Sequence, residues 1–264
     1  MIVGQDALLK KVDGTTLDTF PRSLILLGPK GCGKHMLSEY VGKHLSLPVQ
    51  DITSLLDKET IDEIYARPEP YVYTITASDI SIKQQNIILK FLEEPLKNSY
   101  IIILAINKQA LLNTILNRCQ IWSFVPYSRE VLLGFSKEGL PDSIIYVANT
   151  PGKISGVFPE DFRKLQDLVD KFIASIDKAT VGNTLTIADK IAFKDEADKF
   201  NFDLFTDLLL YELRVRLLNA QDPLLARRYE ITRQLSNLRY TAKISKRSLF
   251  ENFLLAYKLG EDLL

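Results

Sequence analysis

The stretch that most constrains this chain is Gly28-Pro29-Lys30-Gly31-Cys32-Gly33-Lys34-His35. It follows the apolar run Leu24–Leu27 and opens a helical pattern from about Lys34 to Leu45. The spacing fits G-x-x-x-x-G-K-[ST] as far as Lys34. Glycines let successive backbone N–H groups turn inward around an anion, and the start of a helix adds partial positive charge. Lys34 would supply a point charge near the outer phosphates. Gly28, Gly31, Gly33, Lys34 and His35 are therefore the candidate nucleotide-phosphate loop.

Two departures weaken the loop as a catalytic device. Ser or Thr at the last position would bind Mg²⁺ through a hydroxyl, and this chain has His35 there. Mg²⁺ demands hard oxygen ligands in tight octahedral geometry, so His35 reads as a helix-start residue with no ligand role. Nucleotide hydrolysis also needs an acidic residue at the end of a neighbouring strand. The candidate strand Tyr71–Thr76 runs into Ala77-Ser78-Asp79, with no Asp-Glu pair at its end. Asp79 lies further on and reads as the cap region of the next helix. The sequence predicts no Mg²⁺-dependent hydrolysis, with weak ATP, ADP or phosphate binding still open to the loop and no metal site.

Strand-like runs alternate with helical patterns through the first half. Leu24–Leu27, Tyr71–Thr76, Tyr100–Ile106 and Ile121–Val125 are the strand candidates. Between them, Ile82–Leu92 puts Ile87, Ile88, Phe91 and Leu92 on one helical stripe, with Pro95 limiting it. That alternation indicates an α/β parallel sheet. After Pro126 the pattern turns helical. Two short helices are expected around Gly139-Leu140-Pro141, then long ones marked by Phe162, Leu165, Val169, Phe172 and Ile176 and by Phe202, Phe205, Leu209 and Leu213. Asn201 is a plausible N-cap and Asp222-Pro223 a break. The expected organisation is an α/β module over 1–125, a helical lid over 126–158 and a helical domain over 159–264.

Charge and cysteine count narrow the function classes. Lys+Arg and Asp+Glu are both 33, so the chain is not a wholesale binder of nucleic acid. The two cysteines, Cys32 and Cys119, exclude a four-cysteine zinc site and make a disulfide framework unexpected. The apolar run Ile101–Ile106 is far shorter than the ~20 residues a bilayer span requires. The N-terminus lacks a basic leader with an apolar core. A soluble, cytoplasmic protein with no membrane partner is expected. Arg227, Arg228, Arg233, Arg239, Lys243, Lys246 and Arg247 make the tail locally basic, which reads as solvated helix faces or subunit contacts ahead of DNA binding.

Several segments resemble one family in the right order. Gln84-Gln85-Asn86-Ile87-Ile88-Leu89-Lys90-Phe91-Leu92-Glu93-Glu94-Pro95 resembles the Q-x-A-Q-N-A-L-L-K-x-L-E-E-P stretch of AAA+ clamp-loader subunits. Val3-Gly4-Gln5 is similar to the family's V-G-Q near the adenine pocket. Ile101–Asn107 resembles its sensor-1 strand, with Asn107 at the polar sensor position. Thr114-Ile115-Leu116-Asn117-Arg118-Cys119 resembles T-I-x-S-R-C with Asn117 replacing serine. Thr150-Pro151-Gly152-Lys153 resembles the sensor-2 region, with Lys153 near the usual cation position. The missing magnesium ligands make the chain most similar to the delta prime, or stator, type. It lacks that type's zinc module and is short.

The resemblance implies an AAA+ P-loop module, a small helical lid and an all-helical collar that joins subunits. It implies a non-hydrolysing stator subunit of a sliding-clamp loader of the DNA polymerase III kind. Its partners would be motor and clamp-opening subunits, the sliding clamp and primer–template DNA. Val3, the loop residues, Asn107 and Lys153 would form a vestigial nucleotide site. Lys83, Gln84, Gln85 and Asn86 would approach DNA from the start of their helix. Arg118 would act in trans as an arginine finger on a neighbour's ATP, against a plainer reading as a surface ion pair. The alternative is a catalytically active AAA+ ATPase of replication, a motor-type clamp loader or helicase loader, with altered magnesium ligands.

Overall fold

The computed structural model describes residues 2–94, 99–180, 182–184, 201–220, 222–239, 244–261 and 263, with the side chains of 58 and 60 excepted. Pro95 and Lys243 lie outside the described residues. Backbone contacts divide the chain into two units, 1–134 with 150–153 and 135–149 with 154–264. The stretch 126–158, expected as a separate lid, is thus shared between the two.

The first unit is built on a parallel sheet of β1 (Ser23–Leu27), β2 (Val49–Asp51), β3 (Val72–Thr76), β4 (Tyr100–Ala105) and β5 (Gln120–Ser123), in the order β2-β3-β4-β1-β5. β1 is flanked on both sides. Its Leu24 to Leu27 pair with Ile102 to Ala105 on one side and with Gln120 to Ser123 on the other. A strand covered on both faces must be apolar at every position, and β4 is buried along its whole length. Alternate side chains feed two cores. Ile25, Tyr73, Ile75, Ile101 and Ile103 pack with Ile61 and Ile64 of α3 (Lys58–Ala66) and with Ile88, Phe91 and Leu92 of α4 (Ile82–Glu93). Leu24, Leu26, Ile102 and Leu104 pack with Leu8 and Val12 of α1 (Asp6–Asp13) and with Leu37, Val41 and Leu45 of α2 (Lys34–Leu45). The short α5 (Asn113–Leu116) leads into β5, and α6 (Arg129–Leu133) follows it.

Two expectations are corrected here. β5 begins at Gln120 and ends at Ser123, earlier than the expected Ile121–Val125, although Phe124 N–H still donates to the Leu27 carbonyl at 2.8 Å. Asp79 does not cap α4. It closes a 3₁₀ turn, Ala77–Asp79, and Ser81 is the cap, in a reciprocal capping box with Gln84.

The second unit is helical: α7 (Ile144–Val147), α9 (Pro159–Ile176), α10 (Phe202–Asn219), α11 (Pro223–Leu238) and α12 (Lys246–Leu259), with α8 (Pro151–Ser155) entering from the first unit. Asn201 caps α10, as expected, by accepting from Leu204 N–H. Asp222 caps α11, with Pro223 in its first turn, where a missing N–H costs nothing. Phe172, Phe205, Phe250, Phe253 and Tyr257 form a contiguous buried aromatic cluster. Most of the basic tail is engaged within this unit. Arg228 pairs with Asp177, Arg233 with Glu230, Arg239 with Asp207 and Arg247 with Glu251, and Arg227 donates to the Gly260 carbonyl.

Candidate functional site: the glycine loop and the α4–α5 corner

The loop leaves the C-terminal end of β1, where a parallel sheet presents its connections. Gly28 N–H is held by the Ala105 carbonyl at 3.0 Å, and a side chain at 28 would meet Cys32 Sγ at 2.8 Å and Phe124 Cβ at 2.9 Å. Gly31 and Gly33 have φ of +80° and +93°, a backbone region that glycine enters without strain. Gly33 is also the N-cap of α2, so the first N–H groups of that helix emerge at the loop. Lys34 folds back into the loop and donates to the carbonyls of Gly28 at 2.6 Å and Pro29 at 2.9 Å. Burial pushes its ammonium below the ordinary lysine value, and burial holds the Cys32 thiol, 3.9 Å away, above its own. A bound anion would compete with those two carbonyls for Lys34.

The outer side of the loop is fastened to a segment 120 positions away. Thr150 Oγ1 donates to the Lys30 carbonyl at 2.8 Å, and Gly152 N–H donates to the Gly31 carbonyl at 3.0 Å. Glycine is required on both sides of this seam. A side chain at 31 would meet Thr150 Oγ1 at 2.8 Å, and one at 152 would meet Gly31 Cα at 2.8 Å. Residues 150–153 consequently cluster with the first unit, between two stretches that belong to the second. Lys153 sits in this segment, half-buried. In the sequence Thr150 and Gly152 stand in the motif that ends at Lys153, where the cation alone suggests a role and nothing announces their hold on the loop.

The N-terminal V-G-Q segment is tied to the same end of the sheet. Gln5 exchanges two hydrogen bonds with the Val125 backbone, at 2.9 and 3.0 Å. Gly4 lies against the Tyr127 ring, whose hydroxyl donates to the Cys32 carbonyl at 2.6 Å. Burial pushes the Tyr127 hydroxyl up to about 12, which suits a permanent donor. Val3, expected beside an adenine, is exposed.

The residues present fit an anion and do not fit Mg²⁺. His35 is exposed at the start of α2 and carries no hydroxyl. β3, the strand expected to neighbour β1, is separated from it by β4. None of the strands around the loop is followed by a carboxylate: β3 leads into Ala77, β4 into Ile106-Asn107 and β5 into Phe124-Val125. Asp79 accepts from Ser78 Oγ at 2.9 Å, within its own turn. Asn107 caps the next 3₁₀ turn by accepting from Ala110 N–H at 3.0 Å.

At the start of α4 the four expected DNA-facing residues separate into two kinds. Lys83 and Asn86 are exposed. Gln84 is spent on the capping box. Gln85 is 5% exposed, and its amide donates to the Ala110 carbonyl and accepts from Leu112 N–H, both at 2.9 Å. It cannot reach a ligand outside the fold without abandoning both bonds, so the expectation that Gln85 contacts DNA is withdrawn. Its work is to fasten the Lys108–Leu112 turn to α4. Arg118 follows α5, with Nη1 donating to the Thr114 carbonyl and Nη2 paired with Glu93 Oε1, each at 3.0 Å. Cys119, beside it, is half-buried, and desolvation pushes its thiol up to about 12, so little of it is the reactive thiolate at neutral pH.

Topology and loop together define a P-loop-like α/β module on a five-stranded parallel sheet, followed by a helical C-terminal region. Residues 43–128 match the family described as DNA polymerase III, delta subunit. Over 104 residues, 39% of this chain, the sequence is 30% identical to DNA polymerase III subunit delta' of Haemophilus influenzae, and the matched stretch is 31% of that protein's length. The resemblance to clamp-loader subunits of the delta prime type, first carried by short motifs, therefore stands on these matches as well. Among solved structures, a RuvB protein from Thermotoga maritima aligns over 98% of this chain and 83% of its own, at 15% identity and a TM-score of 0.47. A DNA polymerase III gamma subunit-related protein from Thermotoga maritima aligns over 97% and 99%, at 14% identity and a TM-score of 0.46. Among the described residues, no helix is long and apolar enough to cross a membrane.

Proposed function

We propose that this chain is a stator subunit of a sliding-clamp loader, hydrolysing no nucleotide itself and completing a neighbouring subunit's ATP site with Arg118. The observation that carries the reading is the loop's chemistry. The glycine cradle and Lys34 are intact, while the hydroxyl is replaced by His35 and no carboxylate follows the strands beside it. Such a site can hold a phosphate weakly and cannot seat the magnesium that organises hydrolysis. Val3, Asn107 and Lys153 belong to this vestigial site. The partners are motor and clamp-opening subunits, held through the helices of 159–264 as a collar, with 126–158 as the lid. Within the assembly the sliding clamp and primer–template DNA are handled, and Lys83 and Asn86 touch DNA phosphates, a reading supported by their exposure at the start of α4.

The test has two parts. The purified chain with Mg²⁺ and ATP should show no turnover above background. Turnover abolished by Lys34→Ala would instead establish the rival, an active ATPase with altered magnesium ligands. In an assembly reconstituted with motor subunits, Arg118→Ala should leave the complex intact and lower clamp-stimulated hydrolysis at that one interface by ~10³–10⁵. Arg118→Lys should restore little, because charge remains and the planar fork is lost. A wild-type rate with Arg118→Ala would remove the finger assignment.

A further inference from the structure

We propose that Glu93 is a positioning residue for Arg118; the proposal rests on the finger reading of Arg118 given above. Glu93 is the last residue of α4, and Arg118 follows α5, 25 positions later. The fold brings Glu93 Oε1 to 3.0 Å from Arg118 Nη2, while Nη1 donates to the Thr114 carbonyl at 3.0 Å. The guanidinium is therefore gripped at both terminal nitrogens from two different elements. Of its five N–H donors these two contacts use two, and the remainder stay available to phosphate oxygens because the side chain is still 38% exposed.

Local helix physics gives no reason for a carboxylate at position 93. The C-terminal end of a helix carries partial negative charge and favours cations. The cation in that turn, Lys90, is turned away to Asp62 at 3.1 Å and to the Tyr65 ring. The Lys90 carbonyl accepts from Glu94 N–H at 3.0 Å, and the Tyr65 hydroxyl donates to the Glu94 carbonyl at 2.7 Å, so neither takes a side chain of α4. Global stability gives no reason either, since an ion pair with side chains 38% and 53% exposed adds little to folding. What the pair does achieve is geometric. A long, rotamer-rich side chain is held in one arrangement before a neighbouring subunit arrives, so less order must be imposed when the finger engages.

Glu93→Gln keeps the shape and removes the charge. In the isolated chain, the ¹⁵Nε order parameter of Arg118 should fall, with the melting temperature unchanged. In the reconstituted assembly, kcat at that interface should drop about 3- to 10-fold with KM for ATP and subunit assembly unchanged. Glu93→Asp should recover part of the rate. In an Arg118→Ala background, Glu93→Gln should have no further effect. An unchanged Arg118 order parameter, an unchanged kcat, or an equal kcat loss in the Arg118→Ala background would each overturn the proposal. If Arg118→Ala itself runs at the wild-type rate, it is the finger reading that fails, and a fallen order parameter with unaltered kcat then leaves Glu93 as an ordinary surface partner and ends the proposal.

Discussion

Gly152→Ala should open the phosphate loop. The added methyl would lie 2.8 Å from Gly31 Cα and 2.9 Å from the Gly31 carbonyl oxygen. Both are backbone atoms of a loop already held at a positive φ, so neither can swing aside as a side-chain tip would. The segment must back away and release the Thr150 Oγ1–Lys30 and Gly152 N–Gly31 hydrogen bonds. At ~0.5–1.5 kcal/mol net for each bond, the loss is about 1–3 kcal/mol. The helix preference for Ala over Gly does not offset it, because α8 can persist whether the seam is open or closed. Cys32 reports the opening, being 1% exposed inside the loop. Its alkylation by iodoacetamide, followed by peptide mass spectrometry, should accelerate about 5- to 150-fold. Cys119 serves as the internal reference and should change by less than about twofold, since local opening elsewhere does not reach it. Thr150→Val removes one bond without a clash, and should fall between the two, at about 2- to 10-fold. A Cys32 rate in Gly152→Ala equal to the wild-type rate would refute the seam as a restraint on the loop.

Gln85→Ala should destabilise the first unit by about 2–4 kcal/mol in urea, because Leu112 N–H and the Ala110 carbonyl lose their partner in the interior. Lys83→Ala and Asn86→Ala, both exposed, should stay within about 0.5 kcal/mol, and a Gln85 loss of that small size would contradict its role as a fastener. Asp177 sets an acid-side dependence: the hydrogen bond from Arg228 holds its carboxyl below the ordinary value. The unfolded chain then binds the proton more readily, so the stabilisation is complete above the usual carboxylate range near ~3.9 and fades as pH falls through and below it. Asp177→Asn should cost stability near neutral pH, and the gap to wild type should close only as pH falls from about 5 to below about 3, as read by thermal melting; parallel curves would exclude the mechanism.

The phosphate loop, the strands flanking it and the missing magnesium ligands were legible in the residues themselves. Gly28, Gly31, Gly33 and Lys34 declare their geometry locally, because a cradle of backbone N–H groups forms within one turn of chain. β1, β3 and β4 were visible because strands covered on both faces must be apolar throughout. β2 was not among the expected strands: three residues at a sheet edge, none of them fully buried, leave no pattern above background. The tertiary structure alone decided what the polar residues do. Gln84, Gln85 and Asn86 look equivalent on a helix start, yet one caps, one is buried against Ala110 and Leu112, and one faces solvent. Thr150 and Gly152 close on a loop 120 positions earlier, Gln5 on Val125, and Glu93 on Arg118. Periodicity encodes which face of an element is buried, because that depends on neighbours three or four positions away. It carries no record of which distant backbone carbonyl will stand opposite a given donor, since that pairing exists only once the sheet order has brought the ends of β1, β4 and β5 together.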